Sequence, residues 1–264
     1  YGFDDAVGSN YADNLTGNSS ANTIDGGDGN DILSGGLGDD VLSGGEGDDT
    51  IYGQQGIDTL SGGGGDDTLV FQSGDSSIAG GTGTDTAVLG DTYPDAIIDS
   101  AKFSSIEHFE LGNQDERFKL YSSNDYSIAA GTGHDLIDGS DATSALNITL
   151  SDSATGANYI TGIEEVNGSI FGDTFTGDSA DNTIRGGAGN DSISGGGGTD
   201  IVEGGSGNDI IHGDQGADSL IGGTGDDTLY FEVGDTLIDG GSGTNTAILT
   251  GSYNGIIIDN DNKF

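Results

Sequence analysis

Residues 26–70 read GGDGNDILS, GGLGDDVLS, GGEGDDTIY, GQQGIDTLS and GGGGDDTLV, in frames that begin at Gly26, Gly35, Gly44, Gly53 and Gly62. The period is nine. The first six positions of each frame, GGxGxD, are turn-like, because glycine takes up dihedrals that a Cβ excludes. The last three hold one aliphatic side chain between two small or polar ones, a very short strand with one inward residue. Such a strand does not stand alone. Two nonamers make one flattened coil of strand, turn, strand and turn, and successive coils stack with parallel strands about 4.8 Å apart. The expected fold is therefore all-β: a parallel β-solenoid, right-handed by the general rule for parallel crossovers. Its inward ladders are Leu15, Ile24, Leu33, Leu42, Ile51, Leu60, Leu69 and Ile78, then Phe175, Ile184, Ile193, Val202, Ile211, Leu220, Leu229 and Ile238.

Weaker frames flank this stretch at Gly8, Gly17, Phe71 and Gly80, and the whole pattern returns 160 residues later around Gly186. Even the degenerate frame recurs in place, Phe71 matching Phe231, and residues 81–100 match 241–260. Ala130 opens another frame, AGTGHDLI, and IEHFELG at 106–112 resembles IEEVNGS at 163–169. Leu146, Ile148 and Leu150 alternate as in a strand. The chain is thus expected to divide into a repeat block over 1–89, a less regular solenoid region over 90–167, and a second block over 168–264.

Stacking lines up the sixth-position residues in columns with a spacing of 18. One holds Asp13, Asp31, Asp49, Asp67 and Asp85; another Asn22, Asp40, Asp58 and Ser76. The second block gives Asp173, Asp191, Asp209, Asp227 and Asn245, beside Asn182, Asp200, Asp218 and Thr236. Unpaired carboxylates this close repel and raise one another's pKa. A hard dication between successive coils removes that cost. Carboxylates plus glycine-turn carbonyls suit calcium better than magnesium, which demands tighter octahedral geometry. Counting the gaps between coils gives about ten ions.

The composition agrees. Against 46 Asp plus Glu stand 5 Lys plus Arg, a formal net charge of −41. Such a surface repels nucleic-acid phosphates and anionic membranes. There are 53 Gly, 1 Pro and no Cys, so thiolate metal sites and disulfides are excluded. No apolar run is long enough to span a membrane. The chain opens at Tyr1 and has no Met, as expected of a fragment of a longer protein.

The sequence resembles the hemolysin-type calcium-binding repeat, the repeats-in-toxin family, with its G-G-x-G-x-D-x-U-x pattern. Its clearest matches are Gly26 to Val70 and Gly186 to Tyr230. The resemblance implies a parallel β-roll, and a calcium-triggered folding module or structural spacer of a secreted bacterial protein exported by type I secretion. It carries the ligand role onto Asp13, Asp31, Asp40, Asp49, Asp58, Asp67, Asp85, Asp135, Asp173, Asp191, Asp200, Asp209, Asp218 and Asp227. It carries the carbonyl role onto turn glycines: Gly27, Gly29, Gly36, Gly38, Gly45, Gly47, Gly63 and Gly65, and Gly187, Gly189, Gly196, Gly198, Gly205, Gly207, Gly223 and Gly225. Tyr11, Ser20, Phe171 and Ala180 replace the fourth glycine, so the first coil of each block should be poorly loaded. The alternative is a module that binds an extracellular polysaccharide, assembles at the cell surface as an adhesin or lattice, or serves as an accessory module of a secreted polysaccharide-active enzyme. An exposed aromatic strip in the middle region would favour it.

No catalytic constellation is visible: no HExxH, no G-x-S-x-G and no G-x-x-x-x-G-K-[ST]. The chain is therefore read as a non-enzyme, although a catalytic domain elsewhere in a parent chain is compatible with it. Glu107, Glu110, Glu164, Glu165, Arg117 and Lys119 lie outside the nonamers and are the candidates for a special site, with a solvated loop as the plainer reading.

Overall fold

The computed structural model describes residues 4–90, 97–122, 127–154 and 159–250. The echo between 81–100 and 241–260 falls partly outside them. The chain forms two compact units, one of residues 1–116 and 125–133, the other of 117–124 and 134–264.

In the first unit, one parallel sheet runs through Asp5–Val7, Thr23–Asp28, Val41–Glu46, Thr59–Gly64, Ser77–Thr82 and Phe103–Ser104. The second contains Asn14–Thr16, Ile32–Leu37, Thr50–Gln55, Thr68–Phe71, Thr86–Leu89, His108–Glu110 and Ser127–Ala129. Through the repeats, strands pair with those one coil away: Ile24 faces Leu42, Leu42 faces Leu60, and Leu60 faces Ile78. The second unit repeats the plan. One sheet carries Arg117–Lys119, Leu136–Asp138, Glu165–Asn167, Thr183–Ala188, Ile201–Ser206, Ser219–Thr224 and Leu237–Asp239. The other carries Asn147–Thr149, Thr174–Thr176, Ser192–Ser194, Ile210–His212, Thr228–Phe231 and Thr246–Leu249. Among the described residues the one helical element is the 3-10 turn Ser100–Lys102, capped by Asp99. Each unit is a stacked-coil parallel β-solenoid, consistent with a right-handed β-roll.

The inward ladders are those expected. From Ile24 to Ile78 and from Phe175 to Leu229 each predicted core residue is at most 2 % exposed. Leu15, in the first coil, is half-buried. Strand length differs from the expectation. Thr23–Asp28, Ile32–Leu37 and Val41–Glu46 are six residues long, not three. Each runs on through the first glycines of the next nonamer, and that first glycine also points inward. The turn shrinks accordingly to the last positions before the aspartate.

Leu146, Ile148 and Leu150 are buried around the strand Asn147–Thr149. The charged run NQDERFKLY contains a strand rather than a loop. Phe118 is fully buried, while Arg117 pairs with Asp138 at 2.9 Å and Lys119 pairs with Asp141. Phe109 and Phe118 are turned inward, and Phe103 packs edge-on against Phe71 and Phe109. The phenylalanines of this region thus build interior, not an exposed strip. No helix among the described residues is long and apolar enough to cross a membrane.

Candidate metal centre

The nonamer's three glycines serve two different ends. Gly27 and Gly29, second and fourth in their frame, take φ of +105° and +115°, a region that side chains resist. The first glycine has ordinary dihedrals but no room. A Cβ on Gly44 would stand 2.1 Å from Asp49 Oδ2 and 2.7 Å from the Gly62 carbonyl oxygen. The aspartate carboxylate and the next coil's carbonyl therefore converge on the space that a side chain would fill. The second and fourth glycine carbonyls also aim at the following coil: a Cβ on Gly45 would meet Gly27 O at 1.9 Å, and one on Gly47 would meet Gly29 O at 2.4 Å. Two frames lack glycine at the second position but keep its backbone conformation. Gln54, opposite Gly36, adopts φ of +68° without being glycine, and Asp214 adopts +64° at the same place in the second block. The Gly196 and Gly223 carbonyls accept the amides of Gln215 and Ser242.

The sixth-position columns form as a continuous chain of side-chain contacts. Asp31 Oδ1 accepts the Asp13 amide at 2.8 Å, Asp49 Oδ1 that of Asp31 at 2.7 Å, Asp67 that of Asp49 at 2.8 Å and Asp85 that of Asp67 at 2.9 Å. The second unit repeats this from Asp173 through Asp191, Asp209 and Asp227 to Asn245. Asn22, Asp40 and Asp58 form one flanking column, and Asn182, Asp200 and Asp218 the other. One oxygen of each interior carboxylate is thereby fixed by the neighbouring coil.

The other oxygen is not. Oδ2 of Asp31, Asp40, Asp49, Asp58, Asp67 and Asp85, and of Asp191, Asp200, Asp209, Asp218 and Asp227, is buried with no hydrogen-bond partner. These side chains are at most 2 % exposed. A buried carboxylate oxygen with nothing opposite it is costly, and two columns of them in each unit are a systematic feature. Carboxylate oxygens and backbone carbonyls around one gap are the donor set of a hard oxygen-seeking dication, so the residues fit calcium. No three acidic, His or Cys side chains converge at one point among the described residues. A cation here would have one carboxylate from each of two coils, completed by carbonyls.

The ends of the columns are chemically different. Asp13 Oδ2 accepts the Ser9 amide and hydroxyl at 2.6 and 2.8 Å; Asp173 Oδ2 accepts those of Ser169 at 2.7 and 2.9 Å. Asp173 Oδ1 also accepts the Leu146 amide and the Ser169 hydroxyl, so both its oxygens are satisfied by protein donors, as is Oδ2 of Asp13. The flanking columns end differently from a simple count of 18. Asp75, not Ser76, accepts the Asp58 amide at 2.9 Å, and its second oxygen takes the Gln72 amide at 2.7 Å. Asp235 does the same for Asp218 and Glu232. Of the acidic residues outside the nonamers, Glu107 accepts the Asp85 amide and Glu164 the Asp135 amide. A further ladder, unforeseen, joins fifth positions: Asn30 Oδ1 accepts the Asp48 amide, Asp48 that of Asp66, and Asp66 that of Thr84.

Burial raises the carboxyl pKa of Asp58 and Asp67 to about 6, and that of Asp191 and Asp200 to about 7, with neighbouring acids adding to the shift and an amide hydrogen bond opposing it. The metal-free fold thus prefers these groups protonated. The unfolded carboxyl titrates near 3.9, so their contribution to metal-free stability is fully present below about pH 4 and is lost as pH rises through about 6 to 7. Acidifying the calcium-free chain from pH 8 to 5 is expected to increase its β-structure by circular dichroism. The same change should weaken calcium uptake, since protons compete for the carboxylates. A calcium-free spectrum with no more structure at pH 5 than at pH 8 would contradict the first statement.

Comparison with known families supplies the deciding observation. The model of an RTX calcium-binding nonapeptide repeat, four copies long, matches residues 7–42 and 43–78. In overlapping registers it also matches 167–202, 176–211, 194–229, 203–238 and 212–247. Together these segments span more than half of the chain. The chain belongs to the RTX calcium-binding nonapeptide repeat family. No curated protein matches it. The RTX repeats are calcium-binding structural units rather than a catalytic module, and their frames coincide with the columns of buried aspartates described above.

Proposed function

We propose that this chain is a calcium-triggered folding module and rigid structural element of a secreted protein, with type I export as the route. The reading rests on the aspartate columns, whose inner oxygens are buried without partners. The sixth-position aspartates from Asp31 to Asp85 and from Asp191 to Asp227 would hold the ions, with turn-glycine carbonyls completing each gap. Bound calcium would supply the positive charge that these oxygens lack. The chain itself does the positioning: in the folded state each coil's amide orients the next coil's carboxylate. In a low-calcium cytoplasm the columns disfavour the fold; at about millimolar extracellular calcium, mass action favours it. Residues 1–89 and 168–264 act as calcium-rich blocks in this reading, and 90–167 as solenoid with fewer sites.

Isothermal titration is expected to count about ten calcium ions, two carboxylate-bearing coils to each. Asp49→Ala should reduce the count and weaken calcium-induced folding more than Asp13→Ala, because Asp49 faces coils on both sides while Asp13 is already satisfied by Ser9. Two or fewer bound ions, or equal effects of the two variants, would refute the assignment.

A further inference from the structure

We propose that Asp85, Glu107 and the carbonyl oxygen of Ser105 form an additional calcium site in the first unit, beyond the last nonapeptide frame of its block. The inference rests on the calcium reading of the repeats and extends it to Ser105 and Glu107, which no frame contains.

Three observations carry it. Asp85 is fully buried, and its Oδ2 has no hydrogen-bond partner, although no nonamer follows it. Glu107 Oε2 accepts the Asp85 amide at 2.9 Å, the distance at which Asp85 Oδ1 accepts the Asp67 amide. Glu107 therefore occupies the place of the next coil's aspartate, reached across 22 residues instead of 18. Finally, the carbonyl row continues through Ser105. A Cβ on Gly62 would stand 2.6 Å from Gly80 O, and one on Gly80 would stand 1.9 Å from Ser105 O. Ser105 reaches this position with φ of +51°, a conformation that costs a non-glycine residue energy.

The same device is built a second time. In the second unit Glu164 Oε2 accepts the Asp135 amide at 2.8 Å, and Gly162, φ +71°, stands where Ser105 stands. In both copies the aspartate carbonyl takes two successive amides: those of Glu107 and His108 on Asp85, and those of Glu164 and Glu165 on Asp135. Receiving an amide at the end of a column does not require charge. Asn245 performs that task for Asp227 with an amide oxygen at 2.8 Å. A carboxylate at 107, beside a buried and unpaired carboxylate oxygen, is repulsive unless a cation lies between them. Two carboxylates and a carbonyl select a hard dication, and calcium tolerates the irregular geometry of a long loop.

Glu107→Gln keeps the acceptor for the Asp85 amide and removes the charge. Isothermal calcium titration of this variant should show one ion fewer than wild type, or one site weakened at least tenfold, while the calcium-loaded circular dichroism spectrum is unchanged. Anomalous scattering from calcium-grown crystals of wild type should show an ion between Asp85 and Glu107, which keeps the question answerable if the variant folds poorly. A wild type that loads its repeats, with no ion at Asp85 and no loss in Glu107→Gln, overturns this site alone. A wild type that takes up no calcium overturns the repeat reading and this site with it.

Discussion

Withdrawing calcium from the folded chain at pH 8 is expected to abolish most of its β signal and its cooperative thermal transition, and restoring about millimolar calcium should bring both back. One inward aliphatic per nine residues contributes about 1.5–3 kcal/mol, against an ordering cost of about 1 kcal/mol or more for each residue. Glycine raises that cost, and this chain has 53 of them. The buried oxygens of the aspartate columns add repulsion, and the net charge of −41 acts against compaction everywhere. About ten dications would bring the charge to about −21 and remove the local repulsion first. Since each gap joins neighbouring coils, the titration should be cooperative, as in other nearest-neighbour arrays. Circular dichroism across a calcium titration reads this directly. Equal β content and equal melting with and without calcium would show that the fold does not depend on the ion.

The second large effect concerns a methyl group. Gly44→Ala would place its Cβ 2.1 Å from Asp49 Oδ2 and 2.7 Å from the Gly62 carbonyl oxygen. The carboxylate and the next coil cannot both stay where they are, so the substitution is expected to cost about 3 kcal/mol or more of calcium-loaded stability and to weaken at least one site. Gly64→Ala is the matched control. It is the third residue of its frame, it has no positive φ, and its Cβ would meet only side chains, the movable Glu46 carboxylate at 3.0 Å and the Thr82 hydroxyl at 3.4 Å. That change should stay within about 0.5 kcal/mol. Thermal melts in saturating calcium compare the two. Similar losses for both would mean that the first glycine is not kept for the space beside the aspartate.

That space explains what could be read beforehand and what could not. The nine-residue period places Ile24 over Leu42 and Asp31 over Asp49, because a constant offset needs only counting. Counting fails where the loops change length. Asp85 finds its partner 22 residues on at Glu107, and Asp135 finds its partner 29 residues on at Glu164. The echo of Ile106-Glu107 in Ile163-Glu164 was the available signal, visible as likeness without saying what the glutamates touch. Ser76 gave way to Asp75 for a related reason: position in the frame is a proxy for reach, and an aspartate one residue earlier reaches the same amide. The six-residue strands were hidden because glycine carries no hydrophobic signal, although the first glycine of a frame is buried like the aliphatic two residues before it.

The degenerate frame at Phe71–Ala79 has a further consequence. Near-identical nonamers superpose on themselves after a shift of one coil, so a chain of perfect copies would have many pairings of nearly equal energy. Phe71 breaks that translational symmetry. It is 1 % exposed, edge-on to Phe103 with ring centroids 5.0 Å apart, and its frame bonds through Asp75 across 17 residues rather than 18. A chain slipped by one coil loses both fits at once. The least regular nonamer is therefore the one that sets the register of the regular ones.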